Sequence, residues 1–96
     1  VDHIGDSNKS YVTQNMGSAT NSSDVNQNGE SGISTITQSG TGNMATLNQA
    51  GTSNESLIDQ SGTTNMAVIT QGGSGDYSVV SQMGSGNSVI VNQNVP

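Results

Sequence analysis

The chain carries eight glutamines, Gln14, Gln27, Gln38, Gln49, Gln60, Gln71, Gln82 and Gln93; the first interval is 13 residues and the other six are 11. Two residues before each stands Val12, Val25, Ile36, Leu47, Ile58, Ile69, Val80 or Val91. Six residues before stand Asn8, Asn21, Asn43, Asn54, Asn65 and Asn87, with Gly32 and Asp76 in the remaining two copies. Four before, only Ser, Ala or Val occurs. Two after, Gly29, Gly40, Gly51, Gly62, Gly73 and Gly84 recur, while Met16 and Val95 hold that place in the first and last copies. Self-similarity at this period means a stack of small units, each burying its inner face against its neighbours.

An 11-residue period also suits a right-handed coiled coil. That needs strong helix formers, whereas this unit has Gly in nearly every copy and β-branched residues at most aliphatic positions. Its marked positions lie two apart, so Asn, the small residue, the aliphatic residue and Gln share one face of a strand. Strands are predicted at 9–14, 22–27, 33–38, 44–49, 55–60, 66–71, 77–82 and 88–93. The Gly-containing connections between them supply the sharp reversals.

Two such strands form one rung of about 22 residues, an arch with both marked faces turned inward. The predicted fold is all-β: a solenoid of four strand-turn-strand rungs, with eight strands in two parallel in-register sheets about 4.8 Å from strand to strand. Stacking answers the problem that composition poses. With 28% apolar residues and no Phe or Trp, the chain cannot fill an ordinary globular core. In register, each aliphatic side chain meets its equivalent above and below. Each inward Asn or Gln is expected to bond to the same amide on the neighbouring strand, which removes the cost of burying it. Residues 1–7 are expected to be a flexible N-terminal segment, 8–93 the solenoid and 94–96 a tail.

The net charge of −6, with Lys9 the one reliable cation, argues against nucleic acid as a partner, because phosphate binding needs a basic footprint. No run approaches a membrane-spanning length, and the start Val1-Asp2-His3-Ile4-Gly5 lacks the basic and apolar regions of a secretory leader. There is no cysteine, hence no disulfide framework or thiolate metal site. The single histidine, His3, has no histidine partner. Gly72-Gly73-Ser74-Gly75-Asp76 looks like a calcium-binding β-roll motif but occurs once, and Asp76 already holds a position of the 11-residue frame. No catalytic arrangement, cofactor site or metal site is expected. Asp24 and Asp59 are placed as solvated charges that slow association.

The pattern intact at Asn43-Met44-Ala45-Thr46-Leu47-Asn48-Gln49-Ala50-Gly51-Thr52-Ser53-Asn54 resembles the curlin repeat, and the resemblance runs from about residue 8 to residue 93. It implies a bacterial curli-type functional amyloid subunit, exported through an outer-membrane pore and polymerised at the cell surface to support biofilm matrix, adhesion and cell aggregation. Its partners would be further copies of itself, a nucleator subunit and the export pore. The ladder residues that self-assemble would be Asn8, Val12, Gln14, Asn21, Val25, Gln27, Ile36, Gln38, Asn43, Leu47, Gln49, Asn54, Ile58, Gln60, Asn65, Ile69, Gln71, Val80, Gln82, Asn87, Val91 and Gln93.

Two other solenoid functions compete. Ice binding needs a persistent outward Thr-x-Thr array. The pair Thr35/Thr37 gives way to Thr46/Asn48, Leu57/Asp59, Val68/Thr70 and Val79/Ser81. A monomeric solenoid adhesin must shield its end rungs. Ser88-Val89-Ile90-Val91-Asn92-Gln93 is instead followed only by Asn94-Val95-Pro96, so the expectation is open ends of matching pattern and a fibre.

Overall fold

The computed structural model describes residues 2–15 and 21–95. Met16 therefore lies outside the described residues. Nine strands follow one another: β1 (Asp2–Ile4), β2 (Lys9–Asn15), β3 (Ser22–Glu30), β4 (Ile33–Thr41), β5 (Met44–Thr52), β6 (Glu55–Thr63), β7 (Met66–Ser74), β8 (Tyr77–Ser85) and β9 (Ser88–Val95). They form a five-stranded sheet in the order β1-β3-β5-β7-β9 and a four-stranded sheet in the order β2-β4-β6-β8. Every pairing is parallel, and the register is that of the repeat: Gln27 faces Gln49, Gln49 faces Gln71, Gln38 faces Gln60 and Gln60 faces Gln82. This is the β-solenoid of about four turns that the period predicts.

The core is the aliphatic column of both sheets. Val25, Ile36, Leu47, Ile58 and Ile69 are fully buried, Val80 nearly so, and Ala45 and Ala67 fill the narrower space beside them. At the ends the column opens: Val91 is partly buried against the core, and Val12 is exposed. Burying one such side chain contributes about 1.5–3 kcal/mol, and stacking delivers that several times from a chain poor in apolar residues.

Two features differ from the sequence expectation. The strands begin where predicted, but β3 to β8 run three residues beyond the glutamine, through the glycine, so that Gly29 pairs with Gly51 and Gly40 with Gly62. Registered stacking keeps the bending backbone hydrogen-bonded to its neighbours, where an isolated turn would release it. The second difference is β1. Residues 1–7 were expected to be flexible, yet Asp2–Ile4 pair with Asn26–Asn28 of β3. Its register shows why. His3 stands opposite Gln27, Gly5 lies against Gly29 as the other glycines lie against theirs, and Asn8 follows. The spacing His3–Gly5–Asn8 equals Gln49–Gly51–Asn54. The N-terminal segment is a degenerate copy of the unit in which His replaces Gln. At the other end the predicted tail is shorter too, since β9 runs to Val95.

Besides Gly40, Gly51, Gly62, Gly73 and Gly84 two positions after the glutamine, a residue of positive φ also stands four positions after it: Ser31, Ser53 and Thr64 at φ 56 to 59, and Gly42, Gly75 and Gly86 at φ 70 to 72. Its N–H closes the corner onto the preceding rung; that of Thr64 donates to the Thr41 carbonyl at 2.9 Å. A β-branched residue is strained there, by about 1–2 kcal/mol. Thr64 is also exposed, so its side chain contributes little packing. Thr64→Gly is therefore expected to stabilise the fold by about 1 kcal/mol, after allowance for the entropy glycine loses on folding. A guanidinium midpoint that stays the same or falls would contradict this.

Candidate functional site: the stacked ladders

The inward glutamines form two amide ladders. In the four-stranded sheet Gln14 Nε2 donates to Gln38 Oε1 at 2.8 Å, Gln38 to Gln60 at 2.9 Å and Gln60 to Gln82 at 2.7 Å. In the five-stranded sheet Gln27 donates to Gln49 at 2.7 Å, Gln49 to Gln71 at 2.7 Å and Gln71 to Gln93 at 3.0 Å. The interior members Gln27, Gln38, Gln49, Gln60, Gln71 and Gln82 are buried, while Gln93 is half-buried and Gln14 exposed.

Apart from Gln82, each interior amide uses its second hydrogen to tie the two sheets together. Gln38 donates to the Ser22 carbonyl at 2.9 Å, Gln60 to that of Met44 at 3.0 Å and Gln71 to that of Glu55 at 3.1 Å. Serine cannot reach both partners, which explains why the position never changes. The ladders are polar. Every Nε2 points toward the higher-numbered strand, so each ladder has a donor end and an acceptor end.

The asparagines do something different from what was expected. The corner asparagines do not bond to one another as the glutamines do. Asn43 Oδ1 accepts the backbone N–H of Asn65 at 3.0 Å, and its Nδ2 donates to the carbonyls of Ser39 at 2.9 Å and Gly62 at 3.3 Å. Asn65 repeats this with Asn87 N–H, Ser61 and Gly84, and Asn54 with Asp76 N–H, Ala50 and Gly73. Asn8 and Asn21 accept from the backbone of Gly32 and Asn43, and Asn87 donates to the Met83 carbonyl. The asparagine sits at the corner, where backbone N–H and carbonyl groups point inward and would otherwise be unsatisfied. It braces each bend to the next rung, and only a side chain with both donor and acceptor can do so.

Among the described residues, four buried side-chain atoms have no hydrogen-bond partner: Gln27 Oε1, Ser34 Oγ, Asp76 Oδ2 and Gln82 Nε2. Gln27 Oε1 is the acceptor end of one glutamine ladder and Gln82 Nε2 the donor end of the other. Asp76 ends the column of corner residues Asn8, Gly32, Asn54 and Asp76. The sequence reading places Gln27 and Gln82 in the self-assembly ladders and gives Asp76 only a position of the 11-residue frame. Among the described residues there is also no group of three or more His, Cys, Asp or Glu able to hold a metal ion, and no helix long and apolar enough to cross a membrane.

The family model of the curlin associated repeat matches twice, over residues 40–73 and 62–94. No match was found among curated proteins or solved structures. The two matches overlap over residues 62–73, about one 11-residue unit, and together span more than half of a chain whose strands already repeat on the same period. The chain belongs to the curlin associated repeat family.

Proposed function

We propose that the chain is the structural subunit of an extracellular, curli-type functional amyloid fibre, growing end to end and supporting biofilm matrix, adhesion and cell aggregation. A nucleator subunit and an export pore are the further partners this reading brings. The ladder residues set out above are its self-assembly site, and no catalysis is assigned.

The observation that carries the proposal is the polar glutamine ladder with a buried, unpartnered donor, Gln82 Nε2, at one end. A buried amide left unpaired costs about 1–3 kcal/mol, and what satisfies it is an identical amide one strand spacing further on. The outer edges of β8 and β9 carry no partner strand among the described residues, and parallel open edges of this kind template further strands. A head-to-tail contact between unlike ends does not close on itself, so repeated addition gives a filament.

Purified chain near neutral pH is expected to form thioflavin-positive fibres with a meridional reflection at about 4.7–4.8 Å. A chain that stays monomeric and folded across concentration, salt and temperature would favour the monomeric surface module instead.

A further inference from the structure

The two ends fit each other in one register, and that register has a consequence for β1. Stacking β2 of an incoming copy on β8 places Gln14 over Gln82, Lys9 over Tyr77 and Asn8 over Asp76, continuing the pairing by which Gln60 faces Gln82 and Glu55 faces Tyr77. The chain's one lysine then lies across an exposed tyrosine ring on the outward face, a contact favourable in cation–π geometry. The Asp76 carboxyl accepts the Asn8 N–H just as Asn54 Oδ1 accepts that of Asp76, and Gln82 Nε2 donates to Gln14 Oε1.

In that arrangement β3 of the incoming copy lies one strand spacing beyond β9. β9 thereby takes the place beside β3 that β1 occupies within one chain, because β1 and β9 stand at opposite ends of the same five-stranded sheet. Both cannot be there. β1 covers only Asn26, Gln27 and Asn28 of β3 and leaves Gln27 Oε1 buried without a partner. β9 pairs with β7 over eight residues from Ser88 to Val95, and the same length would lie along β3. It also brings Gln93 Nε2, whose ladder hydrogen is what Gln27 Oε1 lacks; interior glutamines such as Gln49 use one hydrogen on the ladder and one on a carbonyl, and Gln93 uses the latter on Tyr77.

We propose that β1 is a displaceable cover on the edge of β3, which β9 of a second copy of this chain replaces when the copies join. The cover keeps the β3 edge from pairing indiscriminately until a full, matching strand arrives. One contact thus supplies partners for three of the four unpartnered buried atoms: Gln27 Oε1, Asp76 Oδ2 and Gln82 Nε2. This inference rests on the fibre reading and adds an exchange step to it.

The test is a reversible staple. Ile4 and Asn28 face each other across β1 and β3 and are both exposed, and the chain has no cysteine of its own. Ile4→Cys with Asn28→Cys, oxidised as the monomer, ties the cover down. Added to wild-type seeds, the oxidised chain is expected to elongate them about tenfold more slowly or worse, because each addition after the first needs the blocked edge. The same chain in reductant is expected to elongate like wild type. Equal rates for oxidised and reduced chains would overturn the displacement step while leaving the fibre intact. No elongation by reduced or wild-type chain would overturn the fibre reading, and this inference with it.

Discussion

Ile58→Asp is expected to abolish both the folded solenoid and any fibre it builds. Ile58 is fully buried in the column Ile36–Ile58–Val80, in the middle of the four-stranded sheet. Truncating a buried isoleucine alone costs about 2–5 kcal/mol. An unpaired carboxylate in the same dry space adds several more, so the total reaches about 5 kcal/mol or more, comparable to the whole stability of a small domain. The stack offers no cation to pair with it, since Lys9 lies in β2 on the outward row with Ile33, Glu55 and Tyr77. Glu55→Gln, three residues away on the exposed face, is the matched control and is expected to change stability by less than about 0.5 kcal/mol. Far-ultraviolet circular dichroism and thioflavin end points decide between them. Similar losses from both changes would mean that the inward and outward faces are not as the structure has them.

The contrast between those residues was legible in the sequence because period-two alternation is a direct consequence of strand geometry. Once Gln14 to Gln93 fix the frame, the facing of every other position follows, and so do the starts of β2 to β9. What stayed hidden depended on interactions that recurrence does not specify. The asparagines recur in six of the eight copies, which suggested a second amide ladder. Their bonds to backbone are set by a place at the corner, one residue before the strand begins. β1 was missed because the frame was anchored on glutamine and the N-terminal copy has His3 there, although Gly5 and Asn8 kept their spacing. That single atoms of Gln27 and Gln82 stay buried without a partner had no sequence signal, because both residues look like every other copy and differ only in standing at the end of a column. Asp76 was visible as a departure from Asn, but not its unpartnered oxygen.

The glycines carry the sharpest expected effect among conservative changes. Glycine at a bend is ordinarily explained by its tolerance of positive φ, and Gly51, at φ +103, fits that account. Space is the stronger reason. A Cβ on Gly51 would lie 1.8 Å from the carbonyl oxygen of Gly73 on the next rung, and one on Gly62 1.9 Å from that of Gly84. The obstacle is backbone, which cannot swing aside as a side chain would. Accommodating it means parting β5 from β7 at the bend, where Asn54 Nδ2 bridges the Ala50 and Gly73 carbonyls. Gly75 offers the comparison, because it also has positive φ, +71, yet nothing lies within 4 Å of its Cβ position. Gly75→Ala is expected to cost only the backbone strain, about 1–2 kcal/mol. Gly51→Ala adds the clash and the opened bend and is expected to cost about 4 kcal/mol or more, the range reserved for disrupted packing or backbone. Guanidinium midpoints of the two variants measure the difference. If Gly51→Ala unfolds no earlier than Gly75→Ala, the glycine column is explained by φ alone, and the close backbone approach between rungs is not what holds it in place.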